Sequence, residues 1–171
     1  MPALRLPSSM SAVFFLVFLL SSASSRATLL LVPEQYLRIQ DAIEAAQMGD
    51  TVLVNSGDYP EHVNLGSLDL TVASYFLMTG DSTYIHDTRI IAAAPGIPIV
   101  EITGGQTPQT LLAGFTISGG MPPHGSGVLL AASSPTIAHN IITNNCTEAE
   151  GGGIHITGGA PGIRFNRITG N

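Results

Sequence analysis

The chain has 171 residues, of which 44% are hydrophobic and 11% charged, with a formal net charge of −6. So apolar a composition excludes a disordered acidic tail, and the negative balance excludes a general nucleic-acid binder, since no excess of cations is available for phosphates. One cysteine among 171 residues excludes an internal disulfide, so stability must come from packing.

In chain order, Met10 to Leu20 is an uncharged apolar run preceded by Arg5 and followed by the small residues Ser21 to Ser25. At 11 residues it is about half the length needed to cross a bilayer, roughly 20. It reads as a secretory signal over 1–25, with Ala23 and Ser25 at the cleavage positions. Its removal takes away Arg5 and no acidic residue, leaving an acidic chain expected to be secreted, periplasmic or at the cell surface, with no stable membrane span.

Residues 26–49 form the next unit. Tyr36, Ile39, Ala42, Ile43 and Ala46 recur at helical spacing with polar residues between them, so an amphipathic helix is expected over Tyr36 to Met48, stopped by Gly49. From Asp50 to Asn171 the chain reads as short strands and Gly/Asn/Pro turns without another helix. The expected strands begin at 50–54, 62–65 and 68–73, and continue at 88–92, 97–103 and 111–118. Val128 to Ala131, Thr136 to His139, Ile141 to Thr143, Ile154 to Thr157, Ile163 to Phe165 and Arg167 to Thr169 complete the set.

The last third repeats itself at an offset of 26: Ser134-Pro-Thr-Ile-Ala-His-Asn-Ile-Ile-Thr-Asn-Asn145 against Ala160-Pro-Gly-Ile-Arg-Phe-Asn-Arg-Ile-Thr-Gly-Asn171. A repeat of that length built from β-branched runs is one coil of a stacked solenoid. The offset places Val128 over Ile154, Leu130 over Ile156, Ile137 over Ile163 and Ile142 over Ile168 as aliphatic ladders. Asn140 over Asn166 and Asn145 over Asn171 become turn ladders. The same alignment sets His139 over Phe165, and strand parity puts both inward. The region after Gly49 supplies about five coils at that period.

Residue chemistry says less about activity. Parity turns His155, Arg164 and Arg167 outward, which makes them the carbohydrate-contact candidates, for an acidic sugar above all. His62, His86 and His124 are scattered without metal-ligand spacing, and the Gly clusters 119–120 and 151–153 lack the strand–loop–helix context of a phosphate cradle. Glu148 and Glu150 are the only carboxylates after Ile102 and lie in a loop, where solvation is the ordinary role. Asn145-Cys146-Thr147 matches the N-x-[ST] acceptor pattern, which matters only where exported proteins are glycosylated, and it is read as a chance match.

Ile39-Gln-Asp-Ala-Ile-Glu-Ala-Ala46, Gly49 to Tyr59, Gly114-Phe-Thr-Ile-Ser-Gly-Gly120 and Pro135 to Asn145 together resemble the coils of right-handed parallel β-helix repeat proteins of the pectin lyase-like superfamily. The resemblance covers residues 36–171. It implies an all-β, single-stranded right-handed parallel β-helix over 50–171, with the helix as an N-terminal cap. It leaves the activity open, since lyases, polygalacturonases and non-catalytic envelope proteins share the coils.

A lyase needs a strong base and commonly Ca²⁺. The chain has no Lys and lacks the Arg-x-Pro-x-x-Arg pattern of pectate lyases. No catalytic, cofactor or metal residue is therefore assigned; the alternative is a polysaccharide lyase or hydrolase acting on acidic polysaccharide with its active site incomplete or beyond residue 171, and Ca²⁺ enters only under the lyase form of it. The preferred expectation is an exported, non-catalytic surface module whose partner is a polysaccharide or another envelope component. The last coil is expected to be covered, by further coils or by a partner.

Overall fold

The computed structural model describes residues 26–121, 127–146, 148 and 151–171. The expected signal segment, His124 and Glu150 lie outside them. The chain winds through three strands per circuit, and each strand joins a different parallel sheet. The first sheet collects β1 (Leu29–Val32), β2 (Thr51–Val54), β5 (Thr71–Ser74), β8 (Leu111–Ala113), β11 (Thr136–Ala138) and β14 (Gly162–Arg164). The second holds β3 (Gly57–Pro60), β6 (Thr88–Ile91), β9 (Thr116–Ser118), β12 (Ile141–Thr143) and β15 (Arg167–Thr169). The third holds β4 (Val63–Asn64), β7 (Val100–Ile102), β10 (Val128–Ala131) and β13 (Ile154–Thr157). This is a parallel β-solenoid with few helices.

Parallel registers stack like on like. One ladder runs Val52, Val72, Leu112, Ile137, Ile163, and a second runs Tyr59, Ile90, Ile117, Ile142, Ile168. The third sheet adds Val63, Val100, Val128, Ile154 and the neighbouring ladder Ile102, Leu130, Ile156. All four ladders expected from the offset of 26 are present. Each buried rung removes a whole aliphatic side chain from water, worth about 1.5–3 kcal/mol. Rungs of the last circuit are less covered, with Ile156, Ile163 and Ile168 at 46%, 37% and 48% exposure. Tyr59 ties its hydroxyl to the Asn55 carbonyl at 2.9 Å. Its burial first, and then Glu34 and Glu61, push that phenol up to about 12.

Asparagine amides hold two of the corners. Asn140, between β11 and β12, accepts from the Phe115 N–H at 3.0 Å and donates to the Leu112 carbonyl at 3.0 Å. Asn145, after β12, accepts from the Gly120 N–H at 3.0 Å and donates to the Ile117 carbonyl at 3.1 Å. Both are fully buried, and these bonds satisfy backbone groups that the sheets leave over where the chain turns.

The first helix, α1 (Ile39–Ala45), is shorter than the expected Tyr36 to Met48. Arg38 is extended, and the N–H groups of Gln35 and Tyr36 turn back onto the Leu31 carbonyl, so the helix begins only at Ile39. There the buried Glu61 carboxylate receives the N–H groups of Ile39 and Gln40 at 2.9 and 3.0 Å, satisfying two first-turn donors from outside the helix. Ile39, Ala42 and Ile43 join the core, and α1 packs on β1, β2 and β4.

Four features depart from the expected run of strands. β1 precedes the helix, within the segment expected only to cap the coils, and β3 fills 57–60, where a turn and no strand was expected. The segment Leu111 to Ser118 is two strands, because Gly114 at φ 83° turns the chain from the first sheet into the second. Between β5 and β6 lie two short helices, α2 (Phe76–Thr79) and α3 (Thr83–Asp87). Thr71 to Leu111 therefore spans 40 positions, where Leu111 to Thr136 spans 25 and Thr136 to Gly162 spans 26. Stacked Tyr75 and Tyr84 rings, 5.8 Å apart, join the two ends of this insertion. Among the described residues no helix is long and apolar enough to cross a membrane.

Candidate functional site: a groove beside an aromatic row

The last three passages from the first sheet to the second, β8 to β9, β11 to β12 and β14 to β15, each turn on one left-handed residue: Gly114 (φ 83°), His139 (φ 56°) and Phe165 (φ 56°). At Gly114 a Cβ would stand 2.4 Å from Ser74 Oγ and 3.1 Å from Phe76 Cβ. Phe76, from the insertion, occupies the space that a side chain there would need. The result is a row along the solenoid: Phe76 lies 5.1 Å from His139, and His139 stacks on Phe165 at 5.0 Å with the planes 17° apart.

His139 and Phe165 are thus not inward as strand parity suggested. The alternation ends with the strand at Ala138, and a left-handed residue redirects the next side chain outward. The offset of 26 did pair them correctly, and Phe165 is 76% exposed.

Beside this row, on the outer face of the first sheet, is a groove of about 320 Å³. Ala113 and Ala138 form a low floor with Leu111 and Thr136 beside them on the same strands, Phe76 and Leu77 of the insertion line it too, and Arg164 and Phe165 stand on the next coil beyond Ala138. The Arg164 guanidinium leans on Thr136 Oγ1 at 3.4 Å, and among the described residues no carboxylate lines the groove. His139 and Phe165 stack face to face, and Phe165, at 76% exposure, keeps its other face open. The guanidinium beside them favours a ligand bearing negative charge.

The three contact candidates read from sequence stand on three different sheets and do not form one site. Arg164 is at the groove. Arg167 lies on the second sheet, in the outer row that runs back through Ile141 and Thr116 to Arg89. His155 lies on the third sheet, in one row with Leu129 and Glu101. Glu148 is exposed.

Further polar contacts between side chains lie elsewhere. Arg89 grips Asp58 in a bidentate pair at 2.6 and 2.5 Å, and that hydrogen bonding holds the Asp58 carboxyl below its usual range and raises the guanidinium. On the third sheet, His62 Nδ1 bonds the Pro98 carbonyl at 2.6 Å, while Nε2 faces Glu101 at 3.5 Å. Among the described residues no three His, Cys, Asp or Glu side chains gather as metal ligands would.

Comparison with protein-family models, curated proteins and solved structures finds no match to this chain. The resemblance to pectin lyase-like coils therefore rests on the repeat and the parallel three-sheet architecture alone.

Phe76 was missed in the sequence because it has no counterpart at the repeat offset. The available signal was negative: Gly114 stands where the following coils carry His139 and Phe165, leaving a gap for a ring from elsewhere.

Proposed function

We propose that the chain is an exported, right-handed β-helix module that binds an acidic polysaccharide without cleaving it, along the groove between the aromatic row and Arg164. The observation that carries this reading is the joining of Phe76, His139 and Phe165 into one row beside a single guanidinium. A sugar chain offers apolar C–H patches, which suit the open face of Phe165. A uronate carboxylate suits the planar fork of Arg164. In this reading α1 caps the solenoid, covering apolar rungs and strand edges that would otherwise be open to water.

The test is affinity electrophoresis of the mature chain in gels containing polygalacturonate, alginate or a neutral glucan, with absorbance of unsaturated products followed in parallel, with and without Ca²⁺. Retardation by the acidic polymers, without turnover, is expected. Sustained product formation overturns the non-catalytic reading, and equal retardation by the neutral glucan overturns the role given to Arg164.

A further inference from the structure

Asn145-Cys146-Thr147 has the sequence of an N-glycosylation acceptor, yet the fold leaves its amide nothing to react with. Asn145 has 0% exposure. Its Oδ1 accepts from the Gly120 N–H at 3.0 Å, and its Nδ2 donates to the Ile117 carbonyl at 3.1 Å and to Asn171 Oδ1 at 3.0 Å. Both Nδ2 hydrogens are therefore committed. Gly127 backs onto the same nitrogen so closely that a Cβ there would lie 2.9 Å from it. A sugar on Nδ2 would have to displace a neighbouring coil.

We propose that Asn145 is a folding-gated modification site: it accepts a glycan only before its coil closes, and a glycan placed there prevents closure. The donor is a lipid-linked oligosaccharide pyrophosphate. The Asn145 Nδ2–C1 bond forms, the C1–O bond to the phosphate breaks, the lipid pyrophosphate leaves, and the Nδ2 proton passes to a base of the transferase. No oxidant or reductant is involved. The partner that completes the closure, Asn171, is synthesised 26 residues after Asn145, so the amide is open while the chain is being delivered. Modification and folding thus compete for one nitrogen. The inference rests on the export reading, because the donor exists only in a compartment that receives translocated chains.

The experiment is translation of the full chain in the presence of endoplasmic-reticulum microsomes. Protease protection reports translocation, an endoglycosidase-sensitive mobility shift reports the sugar, and resistance to limited proteolysis after detergent release reports folding. Sugar and protease resistance are expected on separate molecules. Ile142→Asp, which spoils a buried rung beside Asn145, is expected to raise the glycosylated share severalfold. Thr147→Ala is expected to abolish the shift and raise the protease-resistant share.

A protease-resistant population carrying the Asn145 glycan overturns the proposal, as does a translocated Ile142→Asp chain without sugar. A chain that is never protected from protease overturns the export reading and this inference with it, so the two failures are distinguishable.

Discussion

Asn166 Oδ1 receives two hydrogen bonds from Asn140, one from its backbone N–H at 2.9 Å and one from its side-chain amide at 3.1 Å. The same Asn140 side chain reaches back one coil to Phe115 and Leu112, so a single amide joins three consecutive circuits. Asn140→Ala orphans a buried N–H and a buried carbonyl together, and is expected to cost about 3 kcal/mol. Asn144→Gly, at an exposed residue with φ 54°, is expected to be neutral or slightly stabilising, because glycine adopts that conformation freely. Urea midpoints at unchanged slope distinguish the two.

Thr88 points into the core with 0% exposure, and its hydroxyl has no hydrogen-bond partner. Thr88→Val removes that unsatisfied group at nearly constant volume. It is expected to stabilise the fold by about 1 kcal/mol, read as a higher denaturation midpoint. A lower midpoint would show that the hydroxyl is satisfied in solution.

Gly114→Ala combines a left-handed backbone with a Cβ aimed at Ser74 Oγ. Loss of about 2 kcal/mol or more is expected from the backbone and the contact together. Phe76 must also shift, so polysaccharide retardation is expected to weaken in the protein that remains folded.

Asp69 bridges two coils, accepting from the Thr107 N–H at 2.8 Å, Thr107 Oγ1 at 2.7 Å and Thr110 Oγ1 at 2.6 Å. Desolvation pushes its carboxyl up, but the Thr110 and Thr107 bonds together outweigh it and leave it below the ordinary 3.8. A depressed folded-state value means the stabilisation is complete above the ordinary value and disappears as pH falls through the depressed one. Thermal midpoints are expected to fall on acidification below about pH 4, less steeply in Asp69→Asn. As Asp69 is only partly buried, solvent screening limits the difference to a fraction of a kcal/mol.

Arg164→Ala is expected to weaken binding to acidic polysaccharide about tenfold, or about 1.4 kcal/mol, and to lessen its salt dependence. Phe165→Ala is expected to weaken binding with the salt dependence kept. Arg167→Ala, on another sheet, is expected to leave retardation unchanged. Titration in graded salt separates these outcomes.

Periodicity made the stacked core legible. Once Ile137 and Ile163 share a place in a 26-residue repeat, their adjacency follows, and β11 and β14 pair them in that register. Alternation shows which residues face out, but not which of three faces each joins, so His155, Arg164 and Arg167 looked alike and stand apart. His139 illustrates a different limit, since alternation was extended one residue past the end of a strand. The insertion was illegible for a third reason: α2 and α3 are single turns at one corner, with no repeat partner and too few residues to show a helical period.

The insertion between Ser74 and Thr88 leaves the rungs on either side in step: Val72 still meets Leu112, and Ile90 still meets Ile117. The length of that corner is consequently decoupled from the winding of the coils. A peptide of different length or chemistry grafted between β5 and β6 can replace the part of the groove that the insertion lines while the neighbouring circuits keep their pitch, making this edge the natural port for re-equipping the scaffold.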